Sequence, residues 1–161
     1  GILTGFFGSK EQIDIAIDFI KKFRKKNTLV MVDPVMGDHG KRYASYTEEM
    51  CVEMRKLLSY ADVIAPNLTE TTELLGIPYP KNGEENIGSK IISTTAKGGD
   101  RSGTGDAFSA IVMGSLINGE GLHFATQKAA DFINKAVKFA EELNLPWNYG
   151  LPFEEYLTEL R

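Results

Sequence analysis

Apolar residues recur at helical spacing early in the chain: Ile13, Ile17, Ile20 and Phe23 fall at intervals of four, three and three. This predicts an amphipathic helix with that stripe inward. Ser9 stands ahead of it as an N-cap, and Lys21, Lys22, Arg24, Lys25 and Lys26 crowd its far end, where cations meet the negative end of the helix dipole. The run Thr28-Leu29-Val30-Met31-Val32 is apolar without alternation, the pattern of a strand buried on both faces. Thr47 caps a second helix through Ser59, with Met50, Met54, Leu57 and Leu58 inward. A strand at Val63-Ile64-Ala65 and a helix from Thr69 to Leu75, closed by Gly76, come next. Two more helices are expected, Asp106 to Leu116 and Leu122 to Leu143, the latter with Ala125, Ala129, Phe132, Ala136, Phe139 and Leu143 on one face. The opening residues read as the end of a strand or the loop after one. Strand and helix in alternation predict an α/β domain: a mostly parallel sheet with helices on both faces.

Residues 77–102 break this order. Only Lys90-Ile91-Ile92-Ser93-Thr94 resembles a strand there. A stretch of that length without a period is foreign to a compact α/β domain, and we expect one or more segments to be missing within 77–102. Gly1 is not an initiator methionine, so chain is expected upstream of it, and the opening lacks the basic stretch of a signal peptide.

Composition changes the picture only by exclusion. The chain has 161 residues, 42% hydrophobic and 25% charged, with a formal net charge of −4. That length suits one domain, 1–161. The charge gives no footprint for nucleic acid or an anionic membrane surface, and no apolar run is long enough for a membrane span. One cysteine, Cys51, cannot form an internal disulfide, and reads as a packing thiol. With two histidines, a His/Cys zinc site is not expected. A cytoplasmic enzyme or binding domain remains.

Three stretches carry chemistry. Gly103-Thr104-Gly105-Asp106 opens a helix, whose uncovered N–H groups and dipole suit a phosphate, with a carboxylate beside it able to accept a proton. The same residues also suit a glycine-rich turn with a first-turn acid. Asp33-Pro34-Val35-Met36-Gly37-Asp38 follows a buried strand, where open α/β sheets bind ligands, and its two acids suit Mg²⁺. The alternative is a Pro/Gly turn, and His39 reads as a loop histidine. Ala65-Pro66-Asn67-Leu68-Thr69-Glu70 also ends a strand, and Asn67 with Glu70 has the spacing of a capping box.

In this order the three stretches resemble the motifs of the ribokinase superfamily, and within it the pyridoxal kinase branch. Gly37 to Tyr43 and Gly5-Phe6-Phe7-Gly8-Ser9 resemble that branch in particular. Hydroxymethylpyrimidine kinases usually carry Cys where this chain has Asp106. The resemblance implies a ribokinase-like three-layer α-β-α sandwich, here without the family's N-terminal part. It also implies transfer of the ATP γ-phosphoryl to the 5′-hydroxymethyl of pyridoxal, pyridoxine or pyridoxamine. Asp106 would be the base and a substrate contact, with Gly103, Thr104 and Gly105 around the phosphoryl group. Asp33, Ala65, Asn67, Glu70 and Thr94 would serve ATP, with Ser93 an alternative to Thr94. Asp33, Asp38 and Glu70 would serve Mg²⁺, and Phe7 the vitamin. The helix from Leu122 would flank adenine. The branch further implies a homodimer, and a monovalent cation such as K⁺ is a candidate cofactor. Rival readings are a hydroxymethylpyrimidine or sugar kinase, and a nucleotide-binding relative without catalysis.

Overall fold

A computed structural model gives the structure of the chain, and it describes residues 1–80 and 101–160. The chain divides into two compact units, 1–87 and 88–161. The strand expected at 90–94, with Ser93 and Thr94, lies outside the described residues.

The first unit is built on a parallel sheet in the order β1 (Ile2–Thr4), β2 (Val30–Val32), β5 (Val63–Ile64). Register pairs Ile2 with Val30 and Met31 with Val63. All three residues of β2 are buried, as the unbroken apolar run requires for a central strand. Helix α1 (Lys10–Phe23) starts on Ser9, whose hydroxyl accepts from the Gln12 N–H at 3.4 Å. Its Ile13, Ile17 and Ile20 enter the core, but Phe23 does not: it is half exposed and stacks on Phe19 at 4.6 Å. Phe23 lies at the helix end, rotated away from the face that meets the sheet. Helix α2 (Glu48–Leu58), capped by Thr47, adds Met50, Cys51, Met54 and Leu57 to the same core, and Leu58 sits at its edge. Asp62 ties the layers together, accepting from Arg24 at 2.6 Å and from the Val30 N–H at 2.8 Å.

Between β2 and α2 the chain forms a hairpin absent from the sequence reading, β3 (Gly37–Asp38) against β4 (Lys41–Arg42). Its turn residues His39 and Gly40 both have positive φ, 49° and 74°, the geometry of a tight primed turn. Gly37 is there because nothing larger fits: a Cβ would strike the Lys41 carbonyl and come within 2.8 Å of the Arg42 Cα. Helix α3 (Leu68–Leu75) follows β5 and ends at Gly76.

In the second unit α4 (Thr104–Ile117) packs on α5 (Leu122–Glu142). Ala125, Ala129, Phe132 and Ala136 are buried as expected, while Phe139 is half-buried and Leu143 exposed. Two 3₁₀ turns the pattern did not show, Trp147–Tyr149 and Glu154–Leu160, complete it. Tyr156 stands edge-on to Phe132 at 6.4 Å and to Phe139 at 5.9 Å, and Lys135 pairs with Glu159. No described helix is long and apolar enough to cross a membrane.

Gly37→Ala is expected to destabilise the chain by about 1–3 kcal/mol or more, the usual cost of forcing atoms into a filled space. Urea denaturation checks this; an unchanged midpoint would show that the two strands separate at no cost.

Candidate functional site

In the first unit, candidate residues gather at the carboxyl ends of β2 and β5. Asp33 leaves β2 and is 6% exposed; Glu70, in the first turn of α3, is 2% exposed. Asn67 and Glu70 complete both halves of the capping box: Asn67 Oδ1 accepts from the Glu70 N–H at 2.9 Å, and Glu70 Oε2 accepts from the Asn67 N–H at 2.8 Å. A cap alone would stop there. Glu70 also accepts from the backbone N–H of Met36, at 3.1 Å, while Asn67 Nδ2 donates to the Gly37 carbonyl at 2.8 Å. The loop after β2 is therefore tied to the start of α3 through one carboxylate and one amide.

The Glu70 carboxyl is raised from 4.5 to about 7: burial pushes it up, the backbone N–H groups around it pull it down, and the Asp33 charge adds to the rise. The Tyr43 phenol is raised first by burial, then by Asp38, Glu70 and Asp33. The negative charge of all three acids is thus felt at Tyr43, which the sequence reading quoted only as part of a motif. Asp38 itself is exposed, and its Oδ1 accepts from the His39 N–H at 2.8 Å. Ala65 is half-buried and its N–H donates to the Val32 carbonyl. Phe7 packs against the core of this unit, and Phe6 is the phenylalanine turned outward.

Among the described residues no three His, Cys, Asp or Glu side chains converge as a metal cage. Mg²⁺ needs less: it takes one or two carboxylates and fills its shell with water and phosphate oxygens. Asp33 and Glu70, close enough to repel, fit that donor set. Each Glu70 oxygen that accepts an N–H keeps a second lone pair.

The second unit holds the other candidates. Gly103 is the N-cap of α4 with φ 84°, a left-handed conformation that glycine adopts without strain, and no side chain caps the helix. Thr104 turns its hydroxyl back to the Arg101 carbonyl at 3.2 Å, and the Arg101 guanidinium in turn donates to the Leu145 carbonyl at 3.2 Å. Among the described residues the first N–H groups of α4 have no side-chain partner, and a Cβ at Gly103 or Gly105 would meet none of them within 4 Å. Asp106 stands exposed in this first turn. Beside it opens a cavity of about 590 Å³, walled by Ala107, Ile111, Phe132, Phe153 and Leu157, with Lys128 among its few polar groups. Phe153 and Leu157 come from the tail, where only isolated apolar residues among acids hinted at a role. A wider groove of about 930 Å³ between α1 and α2, lined by Asp14, Asp18, Lys21, Glu53 and Lys56, contains none of the candidates.

A parallel α/β sheet with acids after its strands, and a glycine-rich helix start, is the ribokinase-like arrangement. The chain belongs to the phosphomethylpyrimidine kinase family, whose model matches residues 2–98. A pyridoxal kinase of Pasteurella multocida is 36% identical over 81 residues, which are 48% of this chain and 28% of that protein. A Bacteroides thetaiotaomicron structure, provisionally described as a phosphomethylpyrimidine kinase, superposes with a TM-score of 0.86 at 30% identity, covering 99% of this chain and 68% of that one. A second crystal form of it contains pyridoxal. Pyridoxal kinase of Leishmania donovani, solved with ADP and pyridoxamine, shares the fold at a TM-score of 0.78 and 19% identity, covering 98% and 69%. The match to the Pasteurella protein spans little more than a quarter of that relative's length.

The Glu70 carboxyl carbon is expected to titrate with a midpoint near 7 in metal-free protein, read by ¹³C NMR. Because the folded value exceeds the unfolded one, this group favours the folded state fully below about pH 4.5, and that contribution is lost as pH rises through 7. A midpoint below 5 would mean that water reaches the carboxylate.

Proposed function

We propose that this chain is the nucleotide-handling part of a kinase that transfers the γ-phosphoryl group of ATP to the 5′-hydroxymethyl of pyridoxal. The start of α4 carries this reading: uncapped N–H groups under an open glycine loop, with the Asp106 carboxylate in the same turn. Helix α5 also starts on an uncapped glycine, Gly121, and what sets α4 apart is the second glycine at 105 and the exposed Asp106 carboxylate in the same turn. Relatives named pyridoxal kinase, and a structural relative that contains pyridoxal, support the acceptor. Aspartate at 106, where hydroxymethylpyrimidine kinases usually carry cysteine, favours pyridoxal over the pyrimidine. This chain, matched over 99% of its length, spans 68% of the Bacteroides chain.

Phosphoryl transfer asks mainly for positioning and charge stabilisation. Asp106 takes the proton of the vitamin's hydroxyl as its oxygen bonds to the γ-phosphorus and the bond to the β-phosphate oxygen breaks, releasing ADP. The N–H groups at Thr104 and Gly105 receive the charge that gathers on the transferring group. The apolar cavity beside them takes the adenine ring. In the first unit Asp33 and Glu70, with Asp38 at the edge, are the residues that would hold Mg²⁺, which supplies positive charge to the triphosphate.

Asp106→Asn, made in the complete polypeptide that carries this sequence, keeps size and removes the proton acceptor. Turnover with pyridoxal should fall by about 10²–10⁴-fold, the usual worth of a general base. Affinity for ATP should hold or rise, since a charge facing the γ-phosphate is gone. Near-normal kcat would remove Asp106 from the chemistry, and turnover of hydroxymethylpyrimidine in place of pyridoxal would replace the acceptor.

A further inference from the structure

We propose that Arg42 is a positioning residue for the carboxylate site, acting through the hairpin. The inference rests on the reading of Asp33 and Glu70 as the residues that hold Mg²⁺. Arg42 lies on β4 directly opposite Gly37 on β3. Its guanidinium is fixed from two sides: Nε and Nη2 hold Glu73 Oε2 of α3 at 2.7 and 2.6 Å, and Nη1 holds Glu48 Oε2 of α2 at 2.7 Å. Arg55 donates to the Glu73 carbonyl at 2.8 Å, which secures that end of α3 to α2. Pairing with Glu73 and Glu48 raises the Arg42 pKa further, so the clamp is charged at every working pH.

The clamp reaches the site because the hairpin transmits it. The two strands approach so closely at Gly37 that no Cβ fits between them, and a shift of Arg42 shifts Gly37 with it. The Gly37 carbonyl accepts from Asn67, the N–H of the preceding Met36 donates to Glu70, and Asp38 follows directly. On the other side of Arg42 the chain continues into Tyr43, whose N–H donates to the Met36 carbonyl at 3.0 Å and so ties β4 to the loop that carries the Glu70 donor. A second tether, the Gly40 N–H on Thr69 Oγ1 at 2.9 Å, holds the turn to α3. Three contacts between hairpin and α3, with Arg42 the charged one, fix where the site's loop stands. Groups that orient the holders of a metal, without touching it, typically matter 10–100-fold in metal affinity.

The test is Mn²⁺ binding, standing in for Mg²⁺ and read by electron paramagnetic resonance without turnover, with melting temperature measured on the same samples. Arg42→Met should weaken Mn²⁺ about 10-fold. Arg42→Lys should restore part of this, because a point charge reaches one carboxylate and not both. Glu73→Gln should weaken Mn²⁺ in the same direction from outside the site. A lower melting temperature with Mn²⁺ affinity within twofold of wild type in all three variants overturns the proposal and leaves Arg42 a stability residue. Should Arg42→Met fail to fold, Arg42→Lys and Glu73→Gln decide by the same criterion. A wild-type protein that binds no Mn²⁺ overturns the metal reading itself, and this inference with it.

Discussion

A carboxylate removed from water must be given partners, and Glu70 is where this structure meets that requirement. Burying a charge without hydrogen bonds costs several kcal/mol or forces the group to hold a proton. Glu70 is almost fully enclosed, and the chain supplies it with two backbone N–H groups, of Met36 and Asn67, from two separate segments. Those donors fix the loop after β2 against the first turn of α3. The compensation is incomplete, because Asp33 adds a second negative charge nearby. Among the described residues Glu70 forms no ion pair, and it lies at the ends of two adjacent parallel strands, where open α/β sheets take their ligands.

The second unit poses the opposite demand. Among the described residues no side chain caps α4, and its glycines open the space above the helix start, so donors rather than acceptors are left uncovered there. Uncapped N–H groups and the dipole call for an anion. A site seeking a cation and a site seeking an anion are the two things a kinase of a Mg²⁺-bound triphosphate needs from its chain. The apolar walls by Asp106 add a seat for a flat ring.

Much of this was legible in the residues. Helices with a stripe and a cap, such as Ser9 with Ile13, Ile17 and Ile20, announced themselves because capping and periodicity are local. The unbroken run ending at Val32 identified the central strand, since burial on both faces leaves no alternation to find. The hairpin at 37–42 was hidden: two-residue strands have no period, and a primed turn with His39 at positive φ lacks the usual Asn-Gly sign. Phe23 was assigned inward by spacing alone, and the end of the helix had already turned it outward. For the site, Asp33, Asn67, Glu70 and the residues 103–106 could be picked out by position after strands or before a helix. Tyr43, Arg42 and the tail residues Phe153 and Leu157 could not. Their roles come from contacts between segments far apart in sequence, which no local pattern encodes.

The released product is the most direct test of the proposed phosphoryl transfer. The complete polypeptide is incubated with ATP, Mg²⁺ and an equimolar mixture of pyridoxal and hydroxymethylpyrimidine, and the products are followed by ³¹P NMR and mass spectrometry. Pyridoxal 5′-phosphate should form one for one with ADP while the pyrimidine stays unphosphorylated. Release of inorganic phosphate without a phosphorylated vitamin, or phosphate found on the pyrimidine alone, would contradict the account.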